Sequence, residues 1–195
     1  VAKQLSSLAV LSNNRIGLGV GLSPWPEDFE ACQIPWEKRG QRMDEMIEII
    51  RGLMKGDYFG YKGQIFELEP IKLCPVPSQP VPILIGGHAD AALKRAARIG
   101  DGWISAGTSL EELDGYLKKL HAFRAGFGRE KEPFEIQNMG ASAYTPDGVK
   151  RLEEMGVDEV IVAFRDVYKK QPDTTLEEKL ATMRWYADNV IAKSR

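Results

Sequence analysis

The sequence predicts an α/β protein built on a parallel sheet, and three observations carry that expectation. Short apolar runs alternate with amphipathic helical stretches along most of the chain, the rhythm of successive βα units. The run Val81 to Ile85 is apolar throughout, as a strand covered on both faces must be. The chain has 195 residues, 43% of them hydrophobic, enough for one sizeable core.

Each element follows from local pattern. Val1, Leu5, Leu8 and Leu11 share one face of a leading helix, and Asn13–Asn14 supplies its stop. Ile16 to Gly21 reads as a short buried strand ending in glycines. Ser23-Pro24-Trp25-Pro26 is expected as a loop, because neither a ladder nor a helix interior holds two prolines. Met43, Met46, Ile47, Ile50 and Leu53 keep the helical period between Glu37 and Met54. Aromatic and β-branched residues flank Lys62-Gly63, which predicts a hairpin-like insertion at about 57–80, closed by a proline-rich connector.

The rhythm then becomes regular. A helix from Ala91 to Ile99 turns Leu93, Ala96 and Ala97 inward and stops at Gly100. Asp101 to Ala106 is a strand, and Leu110, Leu113, Leu117, Leu120 and Phe123 line the next helix. Phe134 to about Ser142 is a strand, and Thr145-Pro146-Asp147 opens a helix that Gly156 closes. Glu159 to Phe164 is a strand, and Thr175 caps a last helix carrying Leu176, Leu180, Met183 and Val190. Five strands, each followed by a helix, fit either five units of a (β/α)8 barrel or an open five-stranded doubly wound sheet. Val1 opens in what reads as the middle of a structure, so residues are expected upstream.

Composition narrows the function classes. With 26 basic and 28 acidic side chains the net charge is −2, too little positive field for a nucleic-acid partner. No apolar run approaches the roughly 20 residues of a membrane helix, and no signal peptide is visible, so a cytoplasmic protein is expected. Cys32 and Cys74 stand far apart with no Cys/His cluster, so reduced thiols and no metal are expected.

Chemistry is best sought at Ile85-Gly86-Gly87-His88-Ala89-Asp90. Two glycines at a strand end let backbone approach a ligand, and the next helix offers N–H groups suited to a phosphate. The plainer reading is a tight corner with Asp90 as the helix cap. Gly17, Gly19 and Gly21 leave one strand face bare, which suits a flat ring or a close neighbour, although the spacing is not a dinucleotide fingerprint. Trp25 follows the first strand and either lines a pocket or covers a rim. Arg165, beside Asp166 after the last strand, either binds an anion or pairs with that neighbour. Trp103 is expected in the core, and His121 on a solvated face with Lys118, Lys119 and Arg124. His88 touches a ligand more readily than it acts as a lone acid or base.

Taken in order, Arg15 to Gly21, Pro26 to Glu30, Trp36 to Gly40, Tyr61-Lys62-Gly63 with Phe66, Pro82 to Gly87, Ala92 to Arg98 and Gly100 to Trp103 resemble the luciferase-like monooxygenase family. The likeness is close over about Val1 to Gly107 and continues afterwards as rhythm. It implies a TIM (β/α)8 barrel in a single domain, residues 1–195, with the first strand here matching barrel strand 4 and the first three strands lacking. It implies an oxidoreductase that moves hydride between coenzyme F-420, or alternatively FMN, and a small organic substrate. The segment from Ser23 to Gly40 is more similar to the deazaflavin branch. By the same likeness Gly86, Gly87 and His88 match the cofactor phosphate cradle, and Gly19 and Gly21 the region near the cofactor. His88-Ala89-Asp90 departs from the small hydroxyl residue common there. Trp25 and Arg165 are expected at the substrate pocket, and catalytic residues are not identified. A homo-oligomer is expected. The alternative is a catalytically incomplete fragment, cofactor-binding or self-associating through its two sheet edges, and a further option is another phosphate-binding barrel.

Overall fold

Residues 1–163 and 174–194 are described in a computed structural model. The chain divides into two compact units, Val1–Leu84 and Ile85–Arg195, with the boundary inside a strand.

The first unit opens with helix α1 (Ala2–Leu11), which buries Leu5, Ser6 and Ala9. The apolar face expected from Leu8 and Leu11 is instead exposed, at 56% and 83%. Small residues adjacent to leucines let the buried face rotate without losing the period. Asn13 and Asn14 do stop the helix, both in the left-handed region at φ 54° and 58°. Strand β1 (Leu18–Val20) follows, and the Leu18 N–H donates to the Pro82 carbonyl.

The expected loop ends one residue early. Pro26 is the first residue of a short helix, α2 (Pro26–Ala31), where its missing N–H removes nothing the helix needs. Helix α3 (Arg39–Leu53) buries Ile47, Ile50 and Leu53 together with Glu45. Strands β2 (Phe59–Lys62) and β3 (Glu67–Ile71) then form an antiparallel ribbon. Glu45 holds the ribbon's turn by accepting from the backbone N–H groups of Gln64, Ile65 and Phe66. Gly52 matters here because a Cβ on it would run into the Phe59 ring.

Strand β4 (Ile83–Gly86) ends in the second unit, where β5 (Gly102–Ala106), β6 (Glu135–Met139) and β7 (Glu159–Val160) continue in that order. The β5–β6 and β6–β7 pairs are parallel, with Ala106 opposite Met139 and Asn138 opposite Val160. Crossover helices α4 (Asp90–Ile99), α5 (Leu110–Gly126) and α6 (Pro146–Glu154) supply the βα rhythm, and α7 (Leu176–Asn189) is followed by a 3₁₀ turn at Ile191–Lys193. The core comprises Ile85, Leu93, Ala96, Ala97, Trp103, Leu113, Leu120 and Leu152, each at most 1% exposed.

Four local expectations need correction. The strand expected from Glu159 to Phe164 is regular only over Glu159–Val160, and Phe164 lies outside the described residues. Strand β6 stops at Met139, because Ala141–Tyr144 turn into a 3₁₀ helix that leads to the Thr145 cap. Gly100 ends α4 at φ −79°, an ordinary conformation. Glycine is needed there for space, since a Cβ would lie 2.7 Å from the Ala96 carbonyl oxygen. Arg124 is not part of the solvated face that His121 does occupy. It is buried over the Phe134 ring and donates to the carbonyls of Arg129 and Glu132. Gly156, by contrast, closes α6 in the expected left-handed conformation, φ 84°.

Candidate functional site

The carboxyl ends of β4, β5 and β6 bring together residues that the sequence scatters over some fifty positions. In parallel α/β architecture this is the end of the sheet where ligands bind. After Gly86 the chain turns at Gly87, which takes φ 120°, a value that side chains with a Cβ rarely adopt. A Cβ on Gly87 would also lie 3.0 Å from that of Ala92. Glycine is therefore dictated here twice, by conformation and by the approach of α4.

Trp103 holds the turn from below. Its ring is fully buried, and its indole Nε1–H donates to the Gly87 carbonyl at 2.9 Å. The expectation of a core tryptophan describes only half of its role, because the same side chain fixes the loop. His88 stacks on Tyr116 of α5 with centroids 4.8 Å apart and planes at 11°. It meets the edge of Trp103 at 6.1 Å.

Behind His88 runs a buried polar row. His88 Nε2 lies 3.2 Å from Ser105 Oγ, Ser105 Oγ lies 3.1 Å from Thr108 Oγ1, and Asn138 Nδ2 donates to Thr108 Oγ1 at 3.1 Å. The Ala106 N–H also donates to His88 Nε2, at 3.4 Å. Ser105, Thr108 and Asn138 are all buried, so these contacts replace water. Gly140 makes room for them, since a Cβ there would lie 3.0 Å from both Asn138 Oδ1 and the Thr108 carbonyl. Gly107, at φ 72°, ties the end of β5 to β6 by donating to the Met139 carbonyl.

Burial lowers the His88 pKa below its ordinary 6.5, and the carboxylate of Glu112 only partly opposes this. The imidazole is therefore neutral at neutral pH. Glu112 is itself engaged in a capping box with Ser109, which holds its carboxyl below the usual range.

Asp90 does not cap α4. The N-cap position is Ala89, no side chain caps the helix, and the Asp90 carboxylate pairs with Lys119 at 2.9 Å. The amides of the first turn thus escape the competition that an Asp90 cap would bring. Helices α5, α6 and α7 have side-chain caps in Ser109, Thr145 and Thr175.

The other sequence-derived candidates fall elsewhere. Gly19 and Gly21 are exposed in and just after β1, in the first unit. Trp25 precedes α2 in that same unit and is 51% exposed. Arg165 lies outside the described residues. Sequence reasoning missed Ser105, Thr108, Tyr116 and Asn138. One signal was available: asparagine is depleted inside strands, so Asn138 between Ile136 and Met139 asks for a partner.

Comparison with known proteins is decisive at family level. The family model for luciferase-like monooxygenases matches residues 1–184. The chain belongs to the luciferase-like monooxygenase family. An uncharacterized protein of Mycobacterium tuberculosis strain H37Rv is 52% identical over 194 residues, 99% of this chain and 67% of that protein. A 5,10-methylenetetrahydromethanopterin reductase of Archaeoglobus fulgidus is 29% identical over 90% of this chain and 51% of its own length. The chain thus spans from about half to two-thirds of the length of these relatives. Among solved structures, a monooxygenase from Streptomyces bottropensis matches the whole chain and 73% of its own, with TM-score 0.79 and 19% identity. The coenzyme F-420-dependent tetrahydromethanopterin reductase of Methanopyrus kandleri matches the whole chain and 78% of its own, with TM-score 0.75 and 14% identity. Both establish the fold: the parallel α/β architecture is that of the luciferase-like TIM barrels, and the doubly wound alternative is set aside. Among the described residues no helix is long and apolar enough to cross a membrane.

Proposed function

We propose that this chain binds coenzyme F-420, with FMN as the alternative, through the Gly86-Gly87-His88 turn, and serves an oxidoreductase acting on a small organic substrate. One observation carries the reading. A strand ends in a glycine turn whose carbonyl is already taken by Trp103, and the turn opens onto a helix whose first-turn amides have no side-chain cap. Such amides carry the positive end of the helix dipole and suit a phosphate. The donor set fits the phosphate that both cofactors carry. His88, Ala89 and the amides at the start of α4 would hold it, and Gly87 would let it approach.

When bound, the cofactor supplies hydride chemistry at C5 of a deazaflavin or N5 of a flavin. The chain's own part is to anchor, orient and keep water from the anchored end. The deazaflavin choice is supported by an F-420-dependent glucose-6-phosphate dehydrogenase of Amycolatopsis mediterranei, 33% identical over 62% of this chain and 36% of its own length. The FMN alternative draws on a riboflavin lyase solved with modified FMN, TM-score 0.64 at 17% identity, over 79% of this chain and 41% of its own.

Titration of the chain with F-420 and separately with FMN, followed by fluorescence, tests the reading. Micromolar or tighter binding of one is expected. Gly87→Val should abolish it, since a β-branched residue at φ 120° forces the turn to move, while far-UV circular dichroism stays unchanged. Unchanged affinity in that variant would remove the phosphate assignment. Binding of neither cofactor would favour a second reading, a self-associating module. The exposed apolar residues of α7, Leu176 at 72% and Met183 at 50%, support that second reading. Light scattering showing a monodisperse monomer would remove it.

A further inference from the structure

We propose that Asn138, Thr108 and Ser105 form a one-way hydrogen-bond relay that locks His88 as its Nδ1–H tautomer. The cradle then presents a neutral, oriented N–H donor selective for an acceptor oxygen, of the kind a phosphoryl group carries. The ligand half of this proposal rests on the cofactor reading above, while the relay itself does not.

The direction of the relay follows from which groups can only donate. The Asn138 amide nitrogen donates to Thr108 Oγ1. The Thr108 Oγ1–Ser105 Oγ and Ser105 Oγ–His88 Nε2 contacts can be donated from either side, and the order Thr108 to Ser105 to Nε2 follows once Nε2 is an acceptor. The far end is biased the same way by a second donor. The Ala106 backbone N–H has no acceptor capacity and points at the same Nε2, which therefore presents a lone pair. Two obligate donors, one at each end, orient the two hydroxyls between them. A proton on Nε2 would face the Ala106 N–H, so both the other tautomer and the imidazolium are disfavoured.

The ring cannot rotate out of this arrangement without loss. Tyr116 stacks on one face, Trp103 stands nearly perpendicular to the ring, and Gly140 leaves space for the Asn138–Thr108 pair. Of the charged groups facing His88, Glu112 of α5 favours the imidazolium and burial outweighs it, while Asp90 of α4 is paired with Lys119. Among the described residues Nδ1 has no hydrogen-bond partner, so its proton is the one left to offer. Ser105, Thr108 and Asn138 act through His88 and are positioning residues.

The direct readout is the nitrogen spectrum of the imidazole in the ¹⁵N-labelled full chain. The chain has two histidines, and exposed His121 provides the reference. At neutral pH wild type should show the Nδ1–H pattern for His88, and Thr108→Ser, which keeps the hydroxyl, should show the same. In Asn138→Asp the obligate donor becomes an acceptor, the relay reverses, and His88 should move to Nε2–H or to the imidazolium. If that variant does not fold, Ser105→Ala removes the last hydroxyl and should bring Nε2–H signal into the spectrum. An Nε2–H wild type, or folded variants whose pattern equals wild type, would overturn the relay.

Ligand selectivity is read separately with F-420 and FMN as probes. The asparagine amide nitrogen reaches the place of Nδ1 and that of glutamine the place of Nε2. His88→Asn should therefore lose less affinity than His88→Gln, which weakens binding about tenfold further through the loss of one charge-assisted hydrogen bond. The reverse order would overturn the Nδ1 assignment. If wild type binds neither cofactor, the cofactor reading fails while the spectra still decide the relay. If a cofactor binds but the tautomer is Nε2–H, the relay fails and the cofactor reading stands.

Discussion

At the scale of single residues, the site depends on side chains that do two things at once. Trp103 fills the core and holds the Gly87 carbonyl, so its two roles separate by substitution. Trp103→Phe keeps an aromatic ring but leaves a carbonyl without its donor. The expected cost is about 1 kcal/mol of stability in urea unfolding, with weaker cofactor binding as the turn loosens. Equal binding by both proteins would mean that the turn is held by Gly87 and α4 alone. Legibility in sequence follows from the same duality. Gly86, Gly87 and His88 stand out because glycines at a strand end have few explanations. Ser105 and Asn138 do not, because a buried hydroxyl or amide is decided by partners that lie dozens of residues away. Thr108 is invisible for the same reason, and Asp90 looked like a cap because nothing local reveals Lys119.

At the scale of elements, the helices and strands were readable wherever apolar period and punctuation agreed, as in α4, α5 and β4. They were misread where residues of intermediate character decide. In α1 the choice between Leu8 and Ala9 turns on which face meets a neighbour, and propensity is silent on that. In α2 the proline reads from sequence as a breaker, although at the first helical position it is a starter. The ribbon adds a dependence that no period reveals. Burial alone would raise the Glu45 pKa, but the N–H groups of Phe66, Gln64 and Ile65, with Gln41, outweigh it and hold it below the ordinary 4.5. A carboxylate depressed in the folded state contributes stability that is complete above its unfolded value. That contribution is lost as pH falls through the folded one. Thermal melts from pH 7 downward should therefore drop below about pH 4.5, and Glu45→Gln should show a flatter profile that starts lower. Parallel profiles for the two proteins would show that other carboxylates set the acid limit.

At the scale of the whole molecule, the βα rhythm carried the fold class, and the family match closed the choice that rhythm left open between barrel and open sheet. What rhythm could not carry is the division at Leu84–Ile85, because β4 is one continuous apolar run in sequence. If the cradle is the cofactor's anchor, binding stabilises the states that contain it and leaves distant openings alone. Hydrogen exchange with saturating cofactor should gain most protection at 86–92 and 103–108. Equal gains throughout the chain would point to global stabilisation, and no gain at these residues would remove the anchor.

The chain has four tryptophans, and their settings differ in a useful way. Trp25 and Trp185 are about half exposed, Trp36 lies under the Arg39 guanidinium, and Trp103 alone is sealed from solvent. Its indole sits one hydrogen bond from the proposed anchor. The molecule thus carries a built-in optical probe, its emission set by a dry environment and its neighbours fixed. If the cradle anchors a flavin-type chromophore as proposed, light absorbed there would pass to it, and occupancy would register as quenching of the blue-edge emission without any label.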